Sequence, residues 1–308
     1  RFQSIEHMAK EVKTNLEAGQ RSICLQSEDA LRYGARGIAP DEEWVMNMFR
    51  HVASVEGFEG IGASHIALAT VYHNPELLKA VSETCYSMLD QNWLGAQTGI
   101  ETGSARLIAK YMRGKALPSP PEKWQEIVTQ AFGLLDDNNW FNAATMINGL
   151  PGETTDDVVE SIELVEDLKG TLSLIVPMNF VSMRGSALDS DESFTMAKMT
   201  PEHWQLMGEC IDHDLKVAPE LLREYKNTKD IKSWLLSAAA KRMADALKGY
   251  VKQMKRGEPP TERREASKWL NPEIPDLKTT NHKSELSKFK TKSLLKHLNT
   301  LNLHFSKK

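Results

Sequence analysis

The sequence of 308 residues has few cysteines and no long hydrophobic run. Its three cysteines, Cys24, Cys85 and Cys210, are far apart and odd in number, which argues against a disulfide framework and predicts a reducing, cytoplasmic environment. No two of them have the spacing of metal ligands, so no metal site is predicted. The longest apolar stretches, 60–75 and 170–183, contain polar residues and fall short of the roughly 18–20 residues that span a bilayer.

The charges are distributed unevenly along the chain. Residues 1–215 carry 16 Lys and Arg against 32 Asp and Glu, a net charge of −16, whereas residues 216–308 carry 22 against 10, a net charge of +12. Such a split indicates regions with different surroundings. We predict one unit at 1–195, a helical extension at 196–256 and a basic, loosely ordered tail at 257–308, with one basic helix at 286–301.

Short strand-like runs alternate with helical patterns in the first unit. Strands are expected at 22–26, about 61–71, 94–99, 142–148 and 172–179. Helices are expected at 1–20, 41–54, 74–90, 104–112, 122–138 and 154–168. Asp41, Asn74 and Thr154 are the expected N-caps. The alternation predicts a parallel sheet, either a barrel or a doubly wound sheet, with its chemistry at the carboxyl ends of the strands.

From Met199 onward the alternation of strands and helices stops. Helices are expected at 201–217, 221–225 and 229–256. The last of these has an apolar stripe opposite a row of lysines and arginines. It either packs that stripe on the preceding unit, lies on an anionic membrane surface, or contacts RNA phosphates.

Two glycine-containing turns end the third and fourth predicted strands. The first is Thr98–Ser104 (T-G-I-E-T-G-S) and the second is Asn148–Thr154 (N-G-L-P-G-E-T). Each by itself is compatible with an ordinary strand-to-helix turn. Neither is a phosphate loop, because no Gly-Lys-Ser/Thr follows.

Together and in this order, the two turns resemble those of the radical S-adenosylmethionine superfamily. They are most similar to its methylthiotransferase and oxygen-independent coproporphyrinogen-oxidase branch, which has a G-I-E-[ST]-G-S turn after its fourth barrel strand and a G-[LF]-P-G-E-T turn after its fifth. Here these read Gly99–Ser104 and Gly149–Thr154. The resemblance covers about residues 1–190 and implies an α/β fold: a partial (βα)6 TIM-like barrel with parallel strands, followed by a helical C-terminal extension.

One departure from the family pattern concerns the cluster. The family's defining C-x3-C-x2-C loop, which ligates a [4Fe-4S] cluster after strand one, has no counterpart here. The chain opens at Arg1–Gln20, which resembles the helix that follows that loop. We interpret the sequence as a barrel without strand one and the cluster loop, with the cluster ligands upstream, and expect the chain alone to be inactive. An evolved loss of the cluster is the other interpretation.

For the whole protein, the resemblance implies reductive cleavage of S-adenosylmethionine to a 5′-deoxyadenosyl radical. The electron would come through the cluster from a reductant such as ferredoxin or flavodoxin, and many members of the branch also bind cobalamin. The substrate, whether a small molecule, a lipid or RNA, is not identified by these residues. The alternative hypothesis is a non-catalytic, barrel-derived binding protein that docks on membrane or RNA through its basic C-terminal region, with 229–256 as a peripheral membrane contact.

The resemblance also assigns ligand contacts to individual residues. They are Glu28, with Asp29 as its substitute, for the methionine amino group; Glu101 and Ser104 for methionine or ribose; Arg106 or Arg113 for the carboxylate; and Ile147, Gly149 and Leu150 for adenine. The family's fifth-strand pattern G-x-I-x-G-x-x-E is kept only in part, since Thr145 replaces its first glycine and Glu153 comes one place late. His65, within an apolar run, either lines a cavity as an acid, base or ligand or is a core histidine, and the second is the interpretation favoured here.

Overall fold

The computed structural model of the protein describes residues 2–189, 191–224 and 231–260. Within them, β-strands alternate with α-helices, and two long helices follow. The strands are β1 (Ser22–Leu25), β2 (Gly60–Ala63), β3 (Leu94–Glu101), β4 (Trp140–Asn148) and β5 (Ser173–Asn179). The helices are α1 (Ile5–Glu17), α2 (Glu42–Ala53), α3 (Leu68–His73), α4 (Pro75–Met88), α5 (Ala105–Tyr111), α6 (Trp124–Asp137), α7 (Thr155–Asp167), α8 (Pro201–Glu224) and α9 (Ile231–Met254).

The strands pair in parallel and in chain order. β1 pairs with β2, while β3, β4 and β5 form a second sheet. The two sheets meet where the Ile66 N–H donates to the Gln97 carbonyl at 3.0 Å and the Gln97 N–H donates to the Ser64 carbonyl at 3.1 Å. In the described part of the chain β1 and β5 do not pair, so the strands form no closed barrel. The predicted α/β class, with parallel strands and a helical C-terminal extension, is confirmed.

Capping side chains define several helix starts. The Asp41 carboxylate accepts the Trp44 N–H at 3.2 Å, and Thr154 forms a capping box with Asp157. Both predicted caps are therefore confirmed. Asn74 is also the N-cap residue of α4, with Pro75 after it as predicted, but its side chain makes no capping hydrogen bond and its amide donates to the Thr70 carbonyl at 2.9 Å.

The second predicted strand is too long. β2 ends at Ala63, and the second half of the apolar run, Leu68–His73, is the buried helix α3. A short apolar run is compatible with a buried strand or a buried helix, and periodicity does not separate the two. The early end of the strand matters for the site, because residues 64–70 turn across the carboxyl ends of β1 and β3.

Helix α8 covers the outer edge of β5. It continues to Glu224 with Pro219 inside it, so the predicted break after Val217 is wrong. The Asp214 carboxylate accepts the Ile175 N–H at 2.7 Å, and His213 Nε2 donates to the Ser173 carbonyl at 3.1 Å. These side chains occupy strand-edge groups that would otherwise be open to another chain.

Asp214 makes stability depend on pH. Burial raises its pKa to about 7, although the Ile175 N–H opposes that shift. Because the folded state holds this proton more tightly than the unfolded state, stability falls as pH rises from about 4 to about 7 and stays level above that range. We expect Asp214→Asn, which keeps an acceptor oxygen without the charge, to gain about 1–2 kcal/mol at pH 8 after allowance for solvent screening.

Urea unfolding at pH 5 and pH 8 measures this effect. Between pH 5 and pH 8 the free energy of unfolding should decline less in Asp214→Asn than in the wild type. In the control Asp90→Asn, at an exposed carboxyl group, it should decline as much as in the wild type. An Asp214→Asn profile parallel to that of the wild type would contradict the assignment.

The end of α9 packs against α8. Val251 and Met254 are buried, and Lys255 Nζ lies 3.1 Å from Glu209 and 2.7 Å from Asp212. The last turn of this helix thus packs on α8, within the predicted extension, while its packing on the preceding unit and its contact with membrane or RNA stay predictions. The tail from residue 261, including the predicted helix 286–301, lies outside the described residues, as does the last residue of the predicted helix 221–225. None of the helices described is both long and apolar enough to cross a membrane.

Candidate functional site

A cavity of about 530 Å³ opens at the carboxyl ends of β1, β2 and β3. Its volume lies in the range of small-molecule sites, and the ends of parallel strands are where α/β proteins bind ligands. Polar and charged side chains contribute much of its lining. They are Glu28, Asp29, Arg32, His65, Thr70, Gln97, Thr98, Glu101, Lys115 and Thr145.

Glu101 occupies an unusual position in the wall of the cavity. It lies at a register shift between β3 and β4, and its backbone φ is +66°, a left-handed conformation that few residues other than glycine adopt. Its carboxylate pairs with Lys115 Nζ at 3.1 Å and accepts the Thr145 hydroxyl at 3.0 Å. A strained residue held by charged partners at a cavity is typical of a functional site.

Gly99 makes room for this arrangement. A Cβ atom at position 99 would lie 1.8 Å from Glu101 Oε1 and 2.6 Å from Lys115 Nζ. Lys115 Nζ also donates to the Gly99 carbonyl at 2.8 Å. The glycine of the first turn is therefore needed for the close approach of a charged pair.

Lys115 was not among the predicted site residues. It ends the short helical turn Arg113–Lys115, and its ammonium lies 6.0 Å from the ring centroid of Trp124. The indole N–H of Trp124 donates to the Thr102 carbonyl at 3.0 Å, which fixes the ring behind the first turn. The predicted Arg113 is exposed and lies two positions earlier in the same turn.

The opposite wall distinguishes Glu28 from Asp29. Glu28 is exposed and makes no hydrogen bond or ion pair with any described residue. Asp29 accepts the Leu31 N–H at 3.1 Å and the Thr70 hydroxyl at 2.6 Å. Burial raises the pKa of Asp29, and these hydrogen bonds oppose the shift. Glu28 is thus the carboxylate available to a ligand, and Asp29 holds the loop that carries it.

Two further groups of this wall bear charge or can acquire it. The Arg32 guanidinium donates through Nη2 to the Gly37 carbonyl, while its Nε is buried without a hydrogen-bond partner in the described ranges. The interpretation of His65 as a core histidine is wrong, because the residue is exposed and lines the cavity. β2 ends before His65, so the alternation of the apolar run does not continue through it.

Ser104 and Arg106 lie outside the cavity, in a cluster that joins the two turns. The Ser104 hydroxyl, the Arg106 guanidinium and the Thr154 hydroxyl all donate to the carboxylate of Asp157, which is 4% exposed. Arg106 Nη2 also donates to the Gly152 carbonyl at 2.9 Å. The cluster links α5 to the start of α7 through one buried carboxylate.

The charge of Asp157 is stabilised by its donors. Burial alone would raise the pKa of this carboxyl group, but the hydrogen bonds from Arg106, Ser104 and Thr154 outweigh burial and hold the pKa well below its usual range. The carboxylate is therefore ionised at neutral pH. Its role is structural, because its donors come from the two turns and fix them to each other.

The second turn carries a third group of predicted residues. Leu150 is buried in a small apolar cluster, against which Ile147 and Phe194 pack. Gly149 has φ +77°, and a Cβ there would lie 1.9 Å from the Phe194 ring. That ring therefore lies against the glycine on which the resemblance places adenine.

Glu153 ties this turn to the first residues of α8. Its carboxylate accepts the Gly149 N–H at 2.7 Å and lies 2.9 Å from His203 Nε2. His203 Nδ1 accepts the Thr200 N–H at 3.1 Å, so the proton of the neutral ring lies on Nε2 and points at Glu153. The late position of Glu153 in the family pattern thus still permits contact with the glycine of the turn.

The predicted residues therefore fall into separate places. Glu28, Asp29 and Glu101 line one cavity; Ser104 and Arg106 meet at Asp157; and Ile147, Gly149 and Leu150 lie together on the second turn. His65 lines the same cavity, which was the less favoured of its two interpretations, and Arg32, Gln97, Lys115 and Thr145 line it without having been predicted. The ligand contacts of the nine residues remain predictions.

The described residues do not fit an iron–sulfur cluster. No group of three His, Cys, Asp or Glu side chains in the described ranges could hold a metal ion. Cys24 is exposed on β1, whereas Cys85 and Cys210 are buried, and burial raises the pKa of their thiols. No step that depends on a cluster is assigned to these residues.

Sequence similarity to two curated proteins extends over about half of this chain. No family model matches it. It is similar to the ribosomal protein uS12 methylthiotransferase RimO of Leptospira biflexa serovar Patoc, in strains Patoc 1 / Ames and Patoc 1 / ATCC 23582 / Paris, with 26% identity over 175 residues. The match covers 52% of this chain and 32% of each relative, so the chain spans about a third of their length. These relatives are methylthiotransferases, the class of enzyme in the branch that the two turns resemble, and they support the resemblance at the level of the superfamily.

Proposed function

We propose that this chain forms the S-adenosylmethionine-binding part of a radical S-adenosylmethionine enzyme of the methylthiotransferase class. The observation that carries the proposal is the cavity, in which the G-I-E-T-G-S turn presents a strained Glu101 paired with Lys115. The similarity to curated methylthiotransferases over half of the chain supports the same enzyme class.

The donor set of the cavity suits a zwitterionic sulfonium ligand. Glu28 is a free carboxylate for an ammonium group, and Lys115, which replaces the predicted Arg106 or Arg113 in this role, is a cation for a carboxylate. Glu101 adds a second negative charge near a positively charged sulfur. The adenine contacts of Ile147, Gly149 and Leu150 stay predictions, because these residues do not line the cavity and the Phe194 ring packs on Gly149.

Cleavage of the ligand needs a reduced cluster, and the described residues hold no ligand set for one. We therefore propose that this chain binds and orients S-adenosylmethionine, and that the cluster is supplied from outside the described residues. Cobalamin, a ferredoxin or flavodoxin reductant and a membrane contact through 229–256 stay predictions.

Equilibrium dialysis with radiolabelled S-adenosylmethionine tests the proposal on the chain as it stands. We expect saturable binding without release of 5′-deoxyadenosine. Glu28→Gln and Lys115→Met should each weaken binding about tenfold, as loss of one charged contact near 1.4 kcal/mol implies. The matched exposed controls Glu17→Gln and Lys10→Met should bind like the wild type.

Two results would count against this assignment. Absence of saturable binding by the folded chain would reject it and favour the alternative hypothesis of a non-catalytic binding protein. Equal affinities of the two cavity variants and their controls would place any bound ligand elsewhere.

A further inference from the structure

Beside the cavity, three aromatic side chains form a row on the surface. The ring centroids of Phe2 and Tyr33 are 5.5 Å apart, and those of Tyr33 and Trp44 are 5.9 Å apart. Phe2 is 55% exposed and Trp44 is 50% exposed, whereas Tyr33 is 8% exposed between them. Two large exposed rings thus flank a buried one, although isolated exposed aromatics are more usual on a protein surface.

The row is held rigidly by the backbone beneath it. Gly34 has φ +80°, and a Cβ there would lie 2.7 Å from the Trp44 side chain, so the indole packs directly on the glycine. The Tyr33 hydroxyl donates to the Gln3 carbonyl at 2.6 Å, which fixes the chain near Phe2. A preformed aromatic surface loses little conformational freedom on binding a partner.

Exposed acidic side chains lie close to these rings along the chain. Asp41, Glu42 and Glu43 lead into and begin the helix that carries Trp44, and all three are exposed. Glu6 is exposed and contributes to a raised pKa of Tyr33, although burial is the larger cause. These carboxylates outnumber the exposed cation of the adjacent loop, Arg36, in agreement with the net charge of −16 over residues 1–215.

The same loop forms part of the cavity. Arg32 and Ile38 line the cavity, and Tyr33, the residue after Arg32, belongs to the aromatic row. Ile38 is 46% exposed, so its side chain extends an apolar surface from the cavity toward solvent. Adjacent residues of one loop therefore link the aromatic row to the cavity.

We infer that Phe2, Tyr33, Trp44 and the nearby carboxylates form an aromatic–acidic surface that binds a basic polypeptide segment and leads it to the cavity. Lysine and arginine side chains bind aromatic faces by cation–π attraction, and the carboxylates add favourable charge. Alternate side chains of an extended peptide are about 6.6 Å apart, close to the spacing of neighbouring rings. The destination of the segment rests on the proposed function, whereas the surface itself does not.

Fluorescence anisotropy of a labelled, end-capped peptide of alternating arginine and glycine tests the inference. A peptide with glutamate in place of arginine is the charge control. We expect the basic peptide to bind, with Trp44→Leu weakening it about fivefold or more and Trp44→Phe retaining most of the affinity, because phenylalanine keeps an aromatic face. The control Trp93→Leu, at an indole that is 39% exposed just before β3, should bind like the wild type.

The double variant Glu42→Gln, Glu43→Gln separates charge from ring. It should also weaken binding, and more so at low ionic strength. A loss confined to this double variant, with Trp44→Leu unchanged, would show general electrostatic attraction and overturn the inference. Equal binding of the acidic and basic peptides would also overturn the inference. A loss of binding in Trp93→Leu equal to that in Trp44→Leu would do the same.

S-adenosylmethionine binding, measured on the same variants, keeps the two proposals distinguishable. Trp44→Leu should leave it unchanged and thereby also report that the variant is folded. Peptide binding that depends on Trp44 in a chain that binds no S-adenosylmethionine would reject the proposed function and support this surface. Binding of S-adenosylmethionine without peptide binding would do the reverse.

Discussion

Asp157→Asn is expected to destabilise the protein by about 2–4 kcal/mol, the largest stability effect we predict for a single polar substitution. The buried carboxylate accepts from Ser104, from the Arg106 guanidinium, and from both the N–H and the hydroxyl of Thr154. Asparagine offers one acceptor oxygen and an NH₂ group that faces donors. The variant thus loses a charged partner and leaves buried donors unpaired.

Urea unfolding at pH 7 measures this loss, with Asp156→Asn as the matched control. Asp156 is the preceding residue of the same helical turn, but it is exposed, so its substitution should change the free energy of unfolding by no more than about 0.5 kcal/mol. Similar losses in the two variants would mean that the effect comes from helix-terminus charge in general and not from the buried cluster.

The same variant has a predicted pH dependence. The pKa of Asp157 is depressed in the folded state, so its contribution to stability is fully present above the ordinary carboxyl pKa and is lost as pH falls toward the folded value. The difference between wild type and Asp157→Asn should therefore be constant near neutrality and shrink below about pH 4. This trend is opposite in sign to that of Asp214, whose raised pKa makes protonation stabilising.

The parts of the fold that depend on residues close together along the chain could be predicted from the sequence. The caps at Asp41 and Thr154 involve residues three positions apart, and the alternation of strands and helices is visible in apolar periodicity. The end of β2 was not predictable in this way, because the apolar run continues into α3 and only tertiary contacts decide where it turns.

The two turns were recognisable, but the direction of their side chains was not. Ser104 and Arg106 contact a carboxylate more than fifty residues away, a pairing that no local pattern reveals. Lys115 points into the cavity because the helical turn Arg113–Lys115 ends there, whereas the family pattern draws attention to Arg113. His65 was interpreted as a core residue because it lies within an apolar run, but β2 ends before it.

Gly99→Ala is expected to abolish most ligand binding while leaving the fold intact. The φ of Gly99 is outside the left-handed region, so alanine fits the backbone, but its Cβ would overlap the position of Glu101 Oε1 at 1.8 Å. The Glu101 carboxylate must swing away, and Lys115 then loses its partner at 3.1 Å. Because only the flexible ends of these two side chains must move, we expect the free energy of unfolding to change by less than about 1 kcal/mol.

Binding of S-adenosylmethionine should fall at least tenfold in this variant, a loss of about 1.4 kcal/mol or more, since both charges that face the ligand are displaced. Gly133→Ala is the control, because a Cβ there meets nothing within 4 Å. Thermal unfolding of both variants shows that a binding defect is local. Wild-type affinity in Gly99→Ala would mean that the Glu101–Lys115 pair does not contribute to the site, and the ligand would then have to be sought along the second turn, where Phe194 now packs on Gly149.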